Sequence, residues 1–145
     1  MSFARKARVE IERSNFERLK VYQLSEKLAD EIWSAVVKWD YFAKDTLGKQ
    51  LVRAADSIGA NIAEGIGRKS FVENRRFVRT ARGSLNETRH WLRRAHQRGL
   101  LKAEVVHSVR PIIDELSLKL NAYLRSIGEL VERDRSEHPK GRARP

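Results

Sequence analysis

Apolar residues recur at steps of three and four along four separate stretches of the chain, the period of a helix that buries one face. Leu24, Leu28, Ile32, Ala35 and Trp39 make the first stripe and predict a helix from Lys20 to about Lys38. Leu47, Leu51, Ala55, Ile58 and Ile62 make the second, which runs to about Glu64 and which Asp45 or Thr46 can cap. The third helix is predicted from Phe71 to about Arg98, with Val78, Ala81, Leu85, Thr88, Leu92 and Ala95 as its core seam. In the fourth, Val109, Ile112, Leu116, Leu120, Tyr123, Leu124, Ile127 and Val131 keep the same spacing around Pro111. The missing amide and the ring clash of that proline predict a kink, or a separate leading piece from Lys102 to Arg110. Strand-like alternation of useful length is absent. The pattern therefore predicts an all-α fold, an antiparallel up-down four-helix bundle over residues 16–133.

The breaks between stripes carry their own signals. Gly65 and Gly67 are expected to end the second helix by adopting the left-handed backbone that a Cβ disfavours. Ser70 and Glu73 stand in the S-x-x-E spacing of a capping box at the start of the third helix, and Gly99 ends it. Residues 1–15 show no sustained periodicity and read as a mobile basic arm. After Arg133 the run DRSEHPKGRARP is charged and poor in apolar residues, and reads as a disordered tail.

Charge changes the picture of the third helix. The chain of 145 residues carries a net +11, and the segment 66–102 holds eleven basic residues against two acidic ones. Unrolled, the third helix places Arg75, Arg79, Arg82, Arg89 and Arg93 on one flank of its core seam, with Asn86 and His96 among them. Arg68 and Lys69 continue the positive charge into the preceding turn. Guanidinium groups in such a row can donate paired hydrogen bonds to successive phosphates and release their counterions, which points to nucleic acid. The other readings are a solvated face, arginines paired with Asp30, Glu31, Asp56 or Glu115, or a surface that docks an acidic protein partner. Phe77, Ser84 and Trp91 occupy the opposite flank, so Phe77 and Trp91 are expected in packing or a subunit contact rather than under bases.

Candidate chemistry is sparse. The chain has no cysteine, which excludes disulfides, thiol catalysis and cysteine-held metal. Glu87 and His90 form one E-x-x-H pair without the second copy a di-iron bundle needs, and no cofactor is expected. The glycines of GIGR follow no strand and precede no G-K-[ST], so they are not a phosphate-cradling P-loop. Ser57, Asn61 and Glu64, with Arg53 one turn earlier, offer a nucleophile and a base but no relay; a hydrogen-bond network that fixes helix register is the expected role, with Arg53 or Arg68 paired to Glu64. No apolar run approaches the roughly 20 residues of a membrane span. The expectation is a non-enzymatic, cytoplasmic protein.

The run QLVRAADSIGANIAEGIGR from Gln50 to Arg68, then Ser70, Glu73, Phe77 and ARGSLNE from Ala81 to Glu87, resembles the four-helix-bundle proteins of intervening sequences in bacterial 23S ribosomal RNA genes. FERLKVYQLSEKLADEIW at Phe16 to Trp33 matches where that family has its first helix, and the likeness extends to about Val131. Val52 departs from it, standing where the family commonly has a second arginine. The resemblance implies a homo-oligomer, a ring of five bundles. A more distant similarity to the accessory proteins of diversity-generating retroelements implies, by analogy, an RNA-linked role. Together these readings predict an oligomer that binds nucleic acid, RNA in preference to DNA, through phosphates.

Overall fold

The computed structural model describes residues 16–138. The arm over residues 1–15 and the tail beyond residue 138 lie outside the described residues. Four long helices make an all-α bundle: α1 (Lys20–Val36), α2 (Lys49–Ile66), α3 (Phe71–Gln97) and α4 (Ala103–Glu137). A 3-10 turn at Phe16–Arg18 precedes α1, and a short helical turn (Tyr41–Ala43) and a π-helical stretch (Lys44–Gly48) lead into α2. Each helix packs on two others, in the cyclic order α1, α2, α3, α4. Position along one helix falls as position along the next rises: Gly48 lies against Val36 and Gly59 against Ser25, while Ser57 meets Ser84 and Gly65 approaches Phe77.

The core is the expected set of stripes with a few shifts. Leu28, Ile32, Leu51, Ile58, Ile62, Val78, Leu85, Leu116, Leu120, Ile127 and Val131 are fully enclosed, and Thr88 sits among them with its hydroxyl donated to Ser84 O at 2.8 Å. On α1 the inner stripe takes Val21 and Val36 in addition, with Ala35 only half-buried. Tyr123 is half-buried, its hydroxyl reaching Asn74 Nδ2 at 3.4 Å from the core's edge.

Several boundaries differ from expectation. The second helical run begins earlier, because Asp40 rather than Asp45 or Thr46 supplies the cap: its carboxylate accepts from Ala43 N at 3.0 Å. Asp45 instead pairs with Lys49 at 2.7 Å across the π-helical stretch. Gly65 and Gly67 are not left-handed; Gly65 is helical and Gly67 has φ −77°. Gly65 is required by proximity, since a Cβ there would lie 2.5 Å from Asn74 Oδ1 and 3.0 Å from Phe77 Cβ. The left-handed glycine is Gly99, at φ 73°, which closes α3 as expected. Ser70 caps α3, its hydroxyl accepting from Glu73 N at 3.1 Å. At the fourth helix the expected separate leading piece does not exist. α4 runs unbroken through Pro111, whose missing hydrogen bond, costing about 3 kcal/mol, is offset by burial of Val109, Ile112 and Ile113 around it. α4 also continues past Arg133 to Glu137, so Asp134–Glu137 belong to the helix rather than to a disordered tail.

Candidate nucleic-acid interface

The arginine stripe of α3 faces a seam, and the seam has a second wall. At one end Arg75, Arg79 and Arg82 border a groove completed by Asn121, Leu124, Arg125 and Gly128 of α4. Arg82 Nη1 donates to Asn121 Oδ1 at 3.3 Å, fixing one guanidinium across the seam. Gly128 borders open space in this groove, since a Cβ there would meet nothing within 4 Å. At the other end Arg89, Arg93 and His96 of α3 meet Arg110 and Asp114 of α4 around a cavity of about 340 Å³. Its floor is apolar, made by Leu92, Leu101, Val106, Val109 and Ile113.

None of the arginines at positions 75, 79, 82, 89, 93, 110 and 125 is held in an ion pair among the described residues. None of the carboxylates that sequence offered as partners, Asp30, Glu31, Asp56 and Glu115, pairs with these arginines among the described residues. Glu115 reaches Lys119 at 3.9 Å, and Asp30 and Asp56 line the α1/α2 seam with Glu26 and Tyr22. There, partial burial first and the Asp30 charge second push the Asp56 carboxyl above its usual range. Tyr22 donates to Glu26 at 3.3 Å, and burial, then that carboxylate, raise the phenol. Three carboxylates thus gather on the seam across the bundle, while Asp114 stands among the arginines.

Arg68 and Lys69 do not join the row. Arg68 pairs with Glu64 and lies 4.7 Å over the Phe77 ring, on the flank where α3 meets α2; Lys69 is exposed in the turn. Arg76 covers the same ring at 5.4 Å, so Phe77 is a half-buried plate between two guanidinium groups. Trp91, also half-buried, donates Nε1–H to Glu87 Oε1 at 3.2 Å and meets His90 edge-on at 4.6 Å. The polar stripe of α2 divides. Ser57 Oγ lies 3.0 Å from Ser84 Oγ, and Asn61 Nδ2 donates to Ser57 O at 2.8 Å and to Ser57 Oγ at 3.0 Å, a ladder tying α2 to α3. Glu64 pairs with Arg68, one of the two partners expected for it, and Arg53 is exposed beside Trp33 and Val52, outside the ladder.

Sequence reasoning missed Arg110, Arg125 and Asn121. The segment 103–133 has a net charge of −1, which hid two arginines flanking the buried positions Val109 and Leu124. The usable signal was position: both are neighbours of the α4 seam, the same relation that Arg79 and Arg82 bear to Val78 and Ala81.

The sequence profile of the 23S rRNA-intervening sequence protein family matches residues 17–122, most of the bundle. The chain belongs to this family. Among curated proteins none matches the chain. The family match covers α1, α2, α3 and the first half of α4, and so includes every arginine of the row except Arg125. No described helix is long and apolar enough to cross a membrane, and among the described residues no three His, Asp or Glu side chains gather as a metal set.

Proposed function

We propose that this family member is a non-enzymatic RNA-binding protein whose ligand lies along the α3/α4 seam. Arg75, Arg79, Arg82, Arg89 and Arg93 hold phosphates from one wall, and Arg110 and Arg125 from the other. The observation that carries this reading is the set of seven arginines on one seam without an ion-paired carboxylate among the described residues. Without ion pairs among the described residues, such a row is a field of positive charge that a polyanion neutralises with counterion release. From Arg75 to Arg93 the helix rises about 27 Å, enough for several phosphates in turn. Contacts of this kind position a ligand without reading its sequence. RNA is favoured over DNA because a folded RNA offers its shape, its 2′-hydroxyls and unpaired bases to such a surface.

Assembly belongs to the same proposal. Trp33, Tyr41 and Phe42 are 58%, 79% and 77% exposed near the α1–α2 corner, an apolar surface suited to contact between copies. A homo-oligomer, five copies in the form the resemblance implies, multiplies the arginine rows so that weak phosphate contacts act together. The protein acts in the cytoplasm on this reading.

The test is fluorescence anisotropy with a labelled RNA hairpin, beside a DNA duplex of equal length, at low salt. The expected result is RNA affinity in roughly the micromolar range or tighter, with DNA weaker. Absence of binding to either nucleic acid overturns the proposal.

A further inference from the structure

The two ends of the α3/α4 seam differ in a way that phosphate binding alone does not use. Around Arg75, Arg79 and Arg82 the groove is walled by polar side chains and by the edge of Leu124. Around Arg89, Arg93 and Arg110 the guanidinium groups ring a cavity of about 340 Å³ with five aliphatic side chains beneath. That volume and lining fall in the range of pockets that take small organic groups. A paired duplex has nothing to place there, because its bases are stacked inside and it shows the protein phosphate and sugar. An unpaired nucleotide has an apolar face for the aliphatic floor and a phosphate for the rim.

We infer that this cavity receives a single unpaired nucleotide of the bound RNA, a bulged or terminal base, while the Arg75 end of the seam holds the adjoining duplex by its phosphates. The inference rests on the RNA-binding reading above and adds the structural feature of RNA that the seam selects. Leu92, Val109 and Ile113 form the deep floor, each under 10% exposed, and Leu101 and Val106 are half-buried at the lip. Guanidinium planes at the rim stack on base faces as well as holding phosphate. Asp114 adds a carboxylate to this basic rim, and among the described residues it is in no ion pair with the arginines around it. A carboxylate repels phosphate but accepts from a base N–H, whether the exocyclic amine of adenine, cytosine or guanine or the N3–H of uracil. The cavity therefore takes an unpaired base rather than an abasic sugar.

The experiment compares one RNA duplex in four forms at fixed salt: fully paired, with one bulged adenosine, with one bulged uridine, and with an abasic bulge. The adenosine bulge is expected to bind roughly tenfold more tightly than the paired duplex, the scale of one stacked base. Uridine should gain less, because its single ring covers less of the aliphatic floor, and the abasic bulge should fall back to the paired value. Val106→Phe, which fills the lip of the cavity, should remove the adenosine preference and leave affinity for the paired duplex unchanged, with helicity checked by circular dichroism. Equal affinity for paired and bulged forms overturns the inference while RNA binding stands. An abasic bulge as good as adenosine overturns it too, because flexibility rather than the base would then be selected. Failure of all four RNAs to bind overturns the RNA-binding reading itself. If Val106→Phe does not fold, the abasic comparison decides alone.

Discussion

The α1/α2 and α3/α4 seams lie on opposite sides of one bundle, and both carry a groove, but the two grooves are lined by opposite charge. At α1/α2 a Cβ on Gly59 would come within 2.8 Å of Ser25 Oγ and 3.4 Å of the Tyr22 ring, so the α2 backbone packs close on α1 side chains at that point. Its rim is acidic, with Glu26, Asp30 and Asp56. At α3/α4 a Cβ on Gly128 would meet nothing within 4 Å, and the space is left to arginine side chains and an apolar-floored cavity. The lesson is that a bundle can gather its acidic and its basic groove on different helix pairs. Charge behaves differently on the two sides as well. Partial burial and then the Asp30 charge raise the Asp56 carboxyl, whereas guanidinium groups line the seam on the other side.

The largest expected effect that breaks this contrast is on binding. The double variant Arg79→Glu with Arg89→Glu should weaken RNA binding by at least about a hundredfold, since each charged hydrogen bond is worth about 1.5–3 kcal/mol. The matched change on the other seam, Asp30→Asn with Asp56→Asn, should leave affinity equal or slightly improved. If both pairs of changes weakened binding alike, the ligand would not be confined to the arginine seam.

Packing effects come next. Gly65→Ala should destabilise the fold by about 2 kcal/mol, because the added methyl meets Asn74 Oδ1 and the Phe77 Cβ where α2 hands over to α3. Denaturant titration reads this directly, and a neutral result would mean that Asn74 moves aside at little cost. Gly59→Ala and Gly128→Ala form the sharper pair. The first should lose about 1 kcal/mol through crowding at Ser25 and Tyr22, and the second should gain about 0.5–1 kcal/mol from reduced chain freedom in a helix interior. The same sign for both would erase the distinction between a crowded and an open glycine position.

The smallest effect is electrostatic. Because the folded-state pKa of Asp56 lies above its unfolded value, the native state holds the proton more tightly, and this group costs stability once pH rises through the window between the two values. Its contribution is unfavourable at neutral pH and is relieved as pH falls through the raised carboxyl pKa. Asp56→Asn should therefore raise the thermal midpoint slightly at pH 7, by less than about 0.5 kcal/mol in stability, and make no difference at pH 3.

How far the sequence was legible follows from what one helix can reveal about itself. The core seam of α3, from Val78 to Ala95, could be read because its period is set within a single helix and every member is buried. The stripes of α2 and α4 were legible for the same reason. The glycines of the α2–α3 turn were placed correctly but for the wrong physics: Gly65 answers to Asn74 and Phe77 of the next helix, a contact that no local pattern encodes. Pro111 gave a correct local warning that tertiary burial of Val109, Ile112 and Ile113 overrode. The candidate site was half legible. Arg75 to Arg93 lie at readable spacing on one helix, but Arg110 and Arg125 become part of the same seam only when α4 folds against α3.

The central claim is that the α3/α4 seam binds RNA through phosphate neutralisation, and the dependence of affinity on salt tests it most directly. Plotting log affinity against log salt for an RNA hairpin should give a straight line whose slope, at about 0.7–0.9 per phosphate, corresponds to several contacts, and the Arg79→Glu with Arg89→Glu variant should flatten it by about two contacts. An affinity that ignores salt, or a slope that the variant leaves unchanged, would contradict the account.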